Sequence, residues 1–238
     1  DDIEVELNLT FQEAAFGVEK EVTFTRKERC KTCNGAGAKD SNSIKTCHTC
    51  NGTGTERVSQ RTPFGIIQTT RTCSTCGGTG KIIEEKCSVC RGSGIVKNKR
   101  TISVKIPAGV DNGQMLTMRG EGGVSPTEGG ASGNLVIIFR VGTHPIFIRE
   151  GVNLRMELPI TFLDAALGAK VEIPTLDGKI NIEIPAGTQH GAMVRVKGKG
   201  IKHLKKDAYG DLYVKVLVEI PKNLSFSQRK QLKDLEDV

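Results

Sequence analysis

The 238-residue chain is 37% hydrophobic but only 4% aromatic, a composition that predicts several modest cores rather than one large core. No apolar run reaches the length of about 18 residues that a membrane-spanning helix needs, and the first residues do not resemble a signal peptide. The formal net charge of +7 could indicate nucleic-acid binding. The lysines and arginines are scattered, however, which favours an ordinary solvated surface.

Most of the chain predicts β-strands, because apolar residues alternate with polar ones at period two. The clearest runs are Ile3-Val5-Leu7, Val22-Phe24, Ile102-Val104-Ile106, Leu135-Ile137 and Leu154-Met156-Leu158. Two short helices interrupt these strands. The capping signals Thr10-x-x-Glu13 and Thr161-x-x-Asp164 begin them, and Gly17 and Gly168 end them.

Two further segments lie towards the C-terminal end of the chain. Residues 121–133 are rich in Gly, Ser and Pro and predict a loop, which is best explained as a plain hairpin linker. Residues 228–238 predict a C-terminal helix capped by Ser225 or Ser227, with Leu232, Leu235 and Val238 on one stripe.

Four copies of one cysteine pattern occupy residues 30–94. Each copy reads Cys-x-x-Cys-x-Gly-x-Gly, and no cysteine lies outside these copies. A Cys-x-x-Cys turn presents two thiolates on one side of a tight loop, and two facing turns complete a tetrahedral site of four sulfurs. The pattern therefore predicts two closed zinc sites, and the glycines suit the positive φ angles of such turns.

The path of the chain predicts which turns pair. Three pairings are possible, but an insert that leaves and rejoins one sheet brings its first and last turns together at its base. The sites are then nested, with residues 58–71 as a hairpin at the tip around Pro63-Phe64-Gly65. Site 1 comprises Cys30, Cys33, Cys87 and Cys90, and site 2 comprises Cys47, Cys50, Cys73 and Cys76.

Eight cysteines could also serve three other purposes. A disulfide framework is typical of small secreted chains with variable cysteine spacing. A thioredoxin-like redox site needs one Cys-x-x-Cys that opens a helix, whereas glycines follow every pair here. An iron–sulfur cluster also uses four thiolates, but the closed and paired spacing favours zinc.

An internal duplication surrounds the cysteine-rich segment. Residues 9–17 reappear at 160–168 as Thr-Phe-x-Glu/Asp-Ala-Ala-x-Gly, and Ile-Pro-Ala-Gly at 106–109 reappears at 184–187. We expect an all-β protein of two tandem homologous domains, each a small β-sandwich or barrel-like fold. The predicted division is a first β domain at 1–29 plus 95–148, a zinc module at 30–94, a second β domain at 149–222 and a C-terminal helix at 223–238.

These features resemble the type I (class A) J-domain proteins, the DnaJ family of heat-shock protein 40 co-chaperones of bacterial or organellar type. Besides the cysteine turns and the duplication, the resemblance rests on Val-Lys-Ile-Pro-Ala-Gly-Val at 104–110, His-Pro-x-Phe-x-Arg-x-Gly at 144–151 and Pro-Thr-Leu-Asp-Gly at 174–178. It covers essentially the whole chain.

The resemblance implies a chaperone region that binds unfolded polypeptides, prevents their aggregation, assists refolding and delivers them to heat-shock protein 70 of the DnaK type. Clients would bind by strand addition at a sheet edge of the first β domain and in an apolar pocket. The positions that match the pocket are Ile3, Val22, Phe24, Ile102 and Ile137. Alternatively, these five residues belong only to the core of the domain.

The resemblance also implies two zinc ions and, in the full-length protein, a homodimer formed through a C-terminal tail. A cytoplasmic location is expected, with the mitochondrial matrix or the chloroplast stroma as the alternative. The family's helical J domain carries a His-Pro-Asp tripeptide and precedes a Gly/Phe-rich linker. Neither is present, since His144-Pro145 is followed by Ile146. We therefore expect the substrate-binding region alone.

Two rival functions remain open. A zinc-dependent nucleic-acid-binding protein would be retained on DNA in a salt-dependent manner. A thiol–disulfide isomerase would need zinc-free thiols of depressed pKa. The sequence contains no candidate catalytic triad and no motif of paired carboxylates, so no enzymatic activity is expected.

Overall fold

The computed structural model describes residues 1–62, 65–125 and 130–234, and strands are its main regular secondary structure. The all-β prediction is confirmed. The strands are β1 (Ile3–Leu9), β2 (Val18–Arg29), β3 (Ile44–Thr46), β4 (Thr55–Thr62), β5 (Gly65–Thr72), β6 (Lys81–Ile83), β7 (Ile95–Ile106), β8 (Met115–Met118), β9 (Leu135–Val141), β10 (Ile148–Glu150), β11 (Asn153–Thr161), β12 (Ala169–Thr175), β13 (Gly178–Ile184), β14 (Met193–Val196) and β15 (Leu212–Glu219). The α-helices are α1 (Phe11–Phe16), α2 (Phe162–Leu167) and α3 (Phe226–Lys233).

The strands form several small sheets. One sheet has the order β1-β9-β8 and another the order β10-β11-β15-β14, while β2–β7, β3–β6, β4–β5 and β12–β13 pair as two-stranded sheets. Strands β11 and β15 run parallel, with Leu154 opposite Leu212. Strand β14 pairs with β15 in the antiparallel sense.

The short helices α1 and α2 begin at the capping residues that the sequence predicts. The Thr10 hydroxyl accepts from the Glu13 backbone N–H at 3.2 Å, and the Glu13 carboxylate accepts from the Thr10 backbone N–H at 2.8 Å. Thr161 and Asp164 form the same capping box on α2. Each capping box satisfies backbone donors that the first helical turn leaves unpaired.

The glycines that end these helices show the duplication in three dimensions. A Cβ atom on Gly17 would lie 2.8 Å from both the Ala108 nitrogen and the Ile106 oxygen. On Gly168 it would lie 3.0 Å from the Ala186 nitrogen. The Ile-Pro-Ala string of each repeat therefore packs directly against the backbone where that repeat's helix ends, and only glycine leaves room for it.

Period-two alternation buries one face of the strands in the second repeat. Along β11, Leu154, Met156 and Leu158 are buried, and the intervening Arg155 and Glu157 are not. These residues join one apolar cluster with Val214 and Val216 of β15 and with residues of β12 and β13. The core of the second repeat is thus built mainly from aliphatic side chains, as the low aromatic content predicts.

The chain separates into two compact units. One comprises Asp1–Val5, Thr23–Ile102 and Leu116–Ile137, and the other comprises Glu6–Val22, Ser103–Met115 and Ile138–Val238. The first unit contains the cysteine-rich segment, and the second contains α1, α2 and the four-stranded sheet. These boundaries differ from the predicted division into four parts, which stays a prediction.

Three predicted features extend beyond the described residues. Strands β4 and β5 form the predicted antiparallel hairpin, but Pro63 and Phe64 of its turn lie outside the described residues. Ser225 caps helix α3, as predicted, but the helix begins at Phe226 rather than at residue 228, and Leu235 and Val238 lie outside the described residues. In the loop at 121–133, the Gly122 N–H donates to the Gly133 oxygen at 2.9 Å, consistent with a hairpin linker, although residues 126–129 are not described.

Within the described ranges, no helix is both long and apolar enough to cross a bilayer.

We predict that Gly17→Ala destabilises the protein more than Gly113→Ala. Both glycines have φ of 79°, so alanine incurs backbone strain of about 1–3 kcal/mol at either position. Only at Gly17 does the new Cβ meet the backbone, since nothing lies within 4 Å of it at Gly113. Urea unfolding should show an additional loss of about 1 kcal/mol or more for Gly17→Ala. Equal losses would contradict the close backbone approach.

Candidate metal centre

The four cysteine turns pair through reciprocal backbone hydrogen bonds. In each turn, the N–H of the first cysteine donates to the oxygen of the last glycine of the partner turn, and all four distances are 2.9 Å. The bonds run from Cys30 to Gly94, from Cys87 to Gly37, from Cys47 to Gly80 and from Cys73 to Gly54. The turn at Cys30 therefore faces the turn at Cys87, and the turn at Cys47 faces the turn at Cys73, which is the nested arrangement.

The last glycine of each turn is required because the two backbones almost touch. A Cβ atom on Gly37, Gly54, Gly80 or Gly94 would lie 2.2–2.5 Å from a carbonyl oxygen of the partner turn. All four glycines also have φ between 69° and 74°. No other residue combines this backbone conformation with the absence of a side chain.

The pairing gathers the eight sulfurs into two groups of four. In site 1 the Sγ atoms of Cys30 and Cys87 lie 3.9 Å apart, and those of Cys33 and Cys90 lie 3.7 Å apart. Site 2 repeats these distances, with 3.9 Å between Cys47 and Cys73 and 3.7 Å between Cys50 and Cys76. Within each group, all four sulfurs lie within 4.8 Å of one another.

These distances fit a metal ion and do not fit disulfides. A disulfide needs an S–S distance of about 2.05 Å, and all eight cysteines are free. Four sulfurs placed about 2.3 Å from a central ion form a tetrahedron with edges of about 3.8 Å. A tetrahedral set of four thiolates is typical of zinc or of an iron–sulfur centre.

Hydrogen bonds to the sulfurs and across the turns hold each site in place. The N–H of Gly37, Gly54, Gly80 and Gly94 donates to the second cysteine sulfur of the same turn at 3.3 Å. In three turns a hydroxyl also donates to the carbonyl oxygen of that cysteine. These hydroxyls belong to Thr53, Thr79 and Ser93, at 2.7–2.8 Å, and the cysteine pattern alone does not predict them.

The surroundings of the thiols shift their pKa values in opposite directions. The backbone N–H of Cys33 lowers the pKa of Cys30 to about 7. Burial raises the pKa of Cys33 to about 11 and that of Cys73 to about 12. For Cys76, burial is outweighed by donors such as the Gly80 N–H, and the pKa falls to about 6. A divalent cation would supply the positive charge that holds all four thiols of a site as thiolates.

One acidic residue beside site 2 was also missed by the sequence analysis. Glu56 of β4 has a pKa lowered to about 2 by its donors, of which the Cys73 thiol contributes most, followed by the Ser74 backbone N–H and Arg71. Nothing in the cysteine pattern indicates this residue. Its position opposite Arg71 becomes evident only once β4 and β5 are paired.

The five predicted client-pocket residues differ in burial. Val22 and Phe24 of β2 are 3% and 6% exposed, and Ile137 of β9 is fully buried. Ile3 of β1 and Ile102 of β7 are half-buried. Val22 belongs to the second compact unit and the other four to the first. Burial favours a core role for Val22, Phe24 and Ile137, and the assignment of all five to a pocket stays a prediction.

The sequence of the chain is similar to those of known proteins. A family model described as the DnaJ C terminal domain matches residues 3–221. The chain belongs to this family.

Several relatives in the DnaJ family match almost the whole chain. The protein named Chaperone protein DnaJ of Acetivibrio thermocellus is 48% identical over 237 residues, which cover 100% of this chain and 61% of that protein. Its namesakes in Clostridium acetobutylicum and Neisseria meningitidis are 50% and 44% identical, cover 98% and 100% of this chain, and are each matched over 62% of their length. The chain thus spans about three fifths of the length of these DnaJ relatives.

We predict that Gly80→Ala prevents metal binding at site 2, whereas Gly77→Asn does not. Both residues lie in the turn that begins at Cys73. The Cβ on Gly80 would lie 2.3 Å from the Gly52 oxygen, whereas nothing lies within 4 Å of one on Gly77. Asparagine already occupies the position equivalent to Gly77 at Asn34 and Asn51, with positive φ.

The metal content of each purified variant tests this prediction. Gly80→Ala should lose the metal of one site, and Gly77→Asn should retain the metal content of the parent. Full metal content in Gly80→Ala would show that the two turns can separate without loss of the site.

Proposed function

We propose that this chain is the client-binding region of a co-chaperone that holds unfolded polypeptides and delivers them to heat-shock protein 70 of the DnaK type. One observation carries the proposal: the chain matches proteins named Chaperone protein DnaJ from end to end at 44–50% identity. The proposal assigns no catalytic residue. It includes a cytoplasmic location, since metal-binding thiolates need a reducing compartment.

Strand addition is the proposed mode of client binding. In the part of the chain that the structure describes, β1 lies at an edge of the sheet β1-β9-β8. An edge strand offers backbone N–H and C=O groups that pair with any extended peptide, independently of its side chains. Ile3 on β1 and Ile102 on β7 are partly exposed and are the two predicted pocket residues that a client side chain could reach.

Zinc is the proposed metal at both sites. The four-sulfur sets leave no position for water or substrate, which is typical of structural rather than catalytic zinc sites. Bound zinc would supply local folding energy, and the chain's own backbone bonds would orient the sulfurs around it. The module between β2 and β7 would then be ordered independently of the cores of the β-sheets.

A homodimer is also part of the proposal. Exposed apolar side chains lie on helix α3 and directly after β15, where Phe226 is 89% and Ile220 78% exposed. Together with Leu163 of α2, which is also exposed, they lie in the second compact unit. Exposed apolar side chains near a C-terminal helix are consistent with a contact to a second copy.

We predict two zinc ions per chain, and we predict that chelation disorders only the cysteine-rich segment. Elemental analysis gives the stoichiometry, and amide hydrogen exchange after chelation locates the loss of order. Peptides from 30–94 should exchange rapidly, while β11 and β15 stay protected because their aliphatic core does not involve the metal. One ion per chain, or loss of protection throughout, would contradict the proposal.

We predict that the double variant Ile3→Ser with Ile102→Ser binds a denatured client peptide about tenfold more weakly, because each serine removes apolar surface from the partly exposed site. Fluorescence anisotropy of a labelled peptide measures the affinity. Met115→Ser is the control, since Met115 is an exposed apolar residue outside the predicted pocket.

Circular dichroism must show that both proteins remain folded. Phe24→Asp, by contrast, should destabilise the fold, because it places a charge at a buried position. Unchanged affinity in the folded double variant would exclude Ile3 and Ile102 from the client site.

A further inference from the structure

The carboxylate of Glu56 joins the β4–β5 hairpin to the turn that begins at Cys73. Its Oε1 accepts from the Ser74 backbone N–H at 3.0 Å and from the Ser74 hydroxyl at 3.1 Å. Its Oε2 accepts from Arg71 Nη2 at 3.0 Å and from Nε at 3.2 Å. The Glu56 side chain is only 13% exposed, whereas Arg71 is 62% exposed. Glu56 is thus held on both sides within the module.

One of these hydrogen bonds fixes the peptide group that links Cys73 to Ser74. The nitrogen of this group donates to Glu56, and its oxygen, on Cys73, accepts from the Gly77 N–H at 2.9 Å. Both ends of the peptide plane are therefore fixed. Since this peptide plane is attached to the Cys73 Cα, the two bonds restrict the backbone from which one sulfur of site 2 extends.

The pairing of β4 with β5 places the carboxylate. Glu56 lies directly opposite Arg71 in the register of the hairpin. Arg71 in turn lies two residues before Cys73. The guanidinium holds the carboxylate through two N–H donors and offsets its negative charge beside the thiols. The position of the Cys73 sulfur is thereby coupled to the register of the hairpin.

The other three cysteine turns lack such a carboxylate. Glu56 lies six residues after Cys50, and the equivalent positions after Cys33, Cys76 and Cys90 hold Lys39, Ile82 and Val96. Ile82 and Val96 pack as apolar side chains against the cysteines of their sites. Lys39 pairs with Glu85 at 2.6 Å. The polar link is a property of site 2 alone among these four positions.

We propose that Glu56 is a positioning residue for metal at site 2, and that it couples retention of that metal to the β4–β5 hairpin. The inference rests on the proposed function only in taking a metal ion to occupy both sites. Without the carboxylate, the Cys73–Ser74 peptide can rotate and site 2 loses its metal faster. Site 1, which has Val96 at the corresponding position, is unaffected.

The test compares zinc release from the 238-residue chain and three variants. Glu56→Ala removes the acceptor, and Glu56→Gln keeps an oxygen that can accept from the Ser74 N–H. Glu84→Ala is the matched control, because Glu84 is a carboxylate of the same module that pairs with Lys45 at 2.7 Å. Each zinc-loaded protein is mixed with an excess of a chelating dye, and the release of the two ions is followed over time.

We expect Glu56→Ala to release one of its two ions about tenfold faster than the parent, and Glu84→Ala to release both ions at close to parental rates. Glu56→Gln should release that ion more slowly than Glu56→Ala but faster than the parent, because its oxygen still accepts from Ser74 while its NH2 group faces the donors of Arg71. Hydrogen exchange during release identifies the site, since residues 73–80 should lose protection before residues 87–94. In cadmium-loaded protein, Glu56→Ala should shift the ¹¹³Cd resonance of one site and leave the other unchanged, which a general loss of stability would not do.

Parental release rates in Glu56→Ala would overturn the inference, as would faster release from both sites. So would Glu56→Gln behaving like Glu56→Ala, because the hydrogen bond to Ser74 would then not be the cause. Fewer than two zinc ions in the parent would instead contradict the proposed occupancy of both sites. The two failures are therefore distinguishable.

Discussion

The cysteine-rich segment depends on two backbones lying in direct contact. Each pair of turns exchanges two N–H···O bonds of 2.9 Å, and each last glycine lies where any Cβ would meet a carbonyl oxygen of the partner turn. The sulfur separations of 3.7–3.9 Å follow from this contact, because the sulfurs extend from the same short loops. The backbone contact and a bound metal ion would therefore support the same arrangement of the four sulfurs.

The β repeats also depend on glycines that let two backbone segments lie in direct contact, and these contacts involve no cysteine. Gly17 and Gly168 each end a helix of six residues at the point where an Ile-Pro-Ala string passes against the backbone. A capping box begins each helix, so both ends are determined locally. Short elements with fixed ends explain how a chain with few aromatic residues forms ordered aliphatic cores, since little chain is left free to compete with the packed arrangement.

Much of this architecture is readable from the sequence because it depends on local rules. The grouping of the eight cysteines follows from their spacing and from the path of the chain, and the helix boundaries follow from Thr10, Gly17, Thr161 and Gly168. The contribution of Glu56 was not predictable, since it depends on the hairpin register that places it opposite Arg71. Alternation at period two also shows that Val22 and Phe24 share a strand face, but it cannot show how fully other elements cover that face. Their burial had to come from the structure.

The nesting of the two sites has a consequence for the order in which they assemble. The paired cysteines of site 2 are 26 residues apart in sequence, and those of site 1 are 57 residues apart. Closing the longer loop in an unfolded chain costs about 0.7 kcal/mol more in entropy. Once site 2 has closed, the free chain between the turns of site 1 shrinks to the short segments on either side of it. Loop-closure entropy therefore favours closing site 2 at the hairpin before site 1 beside β2 and β7.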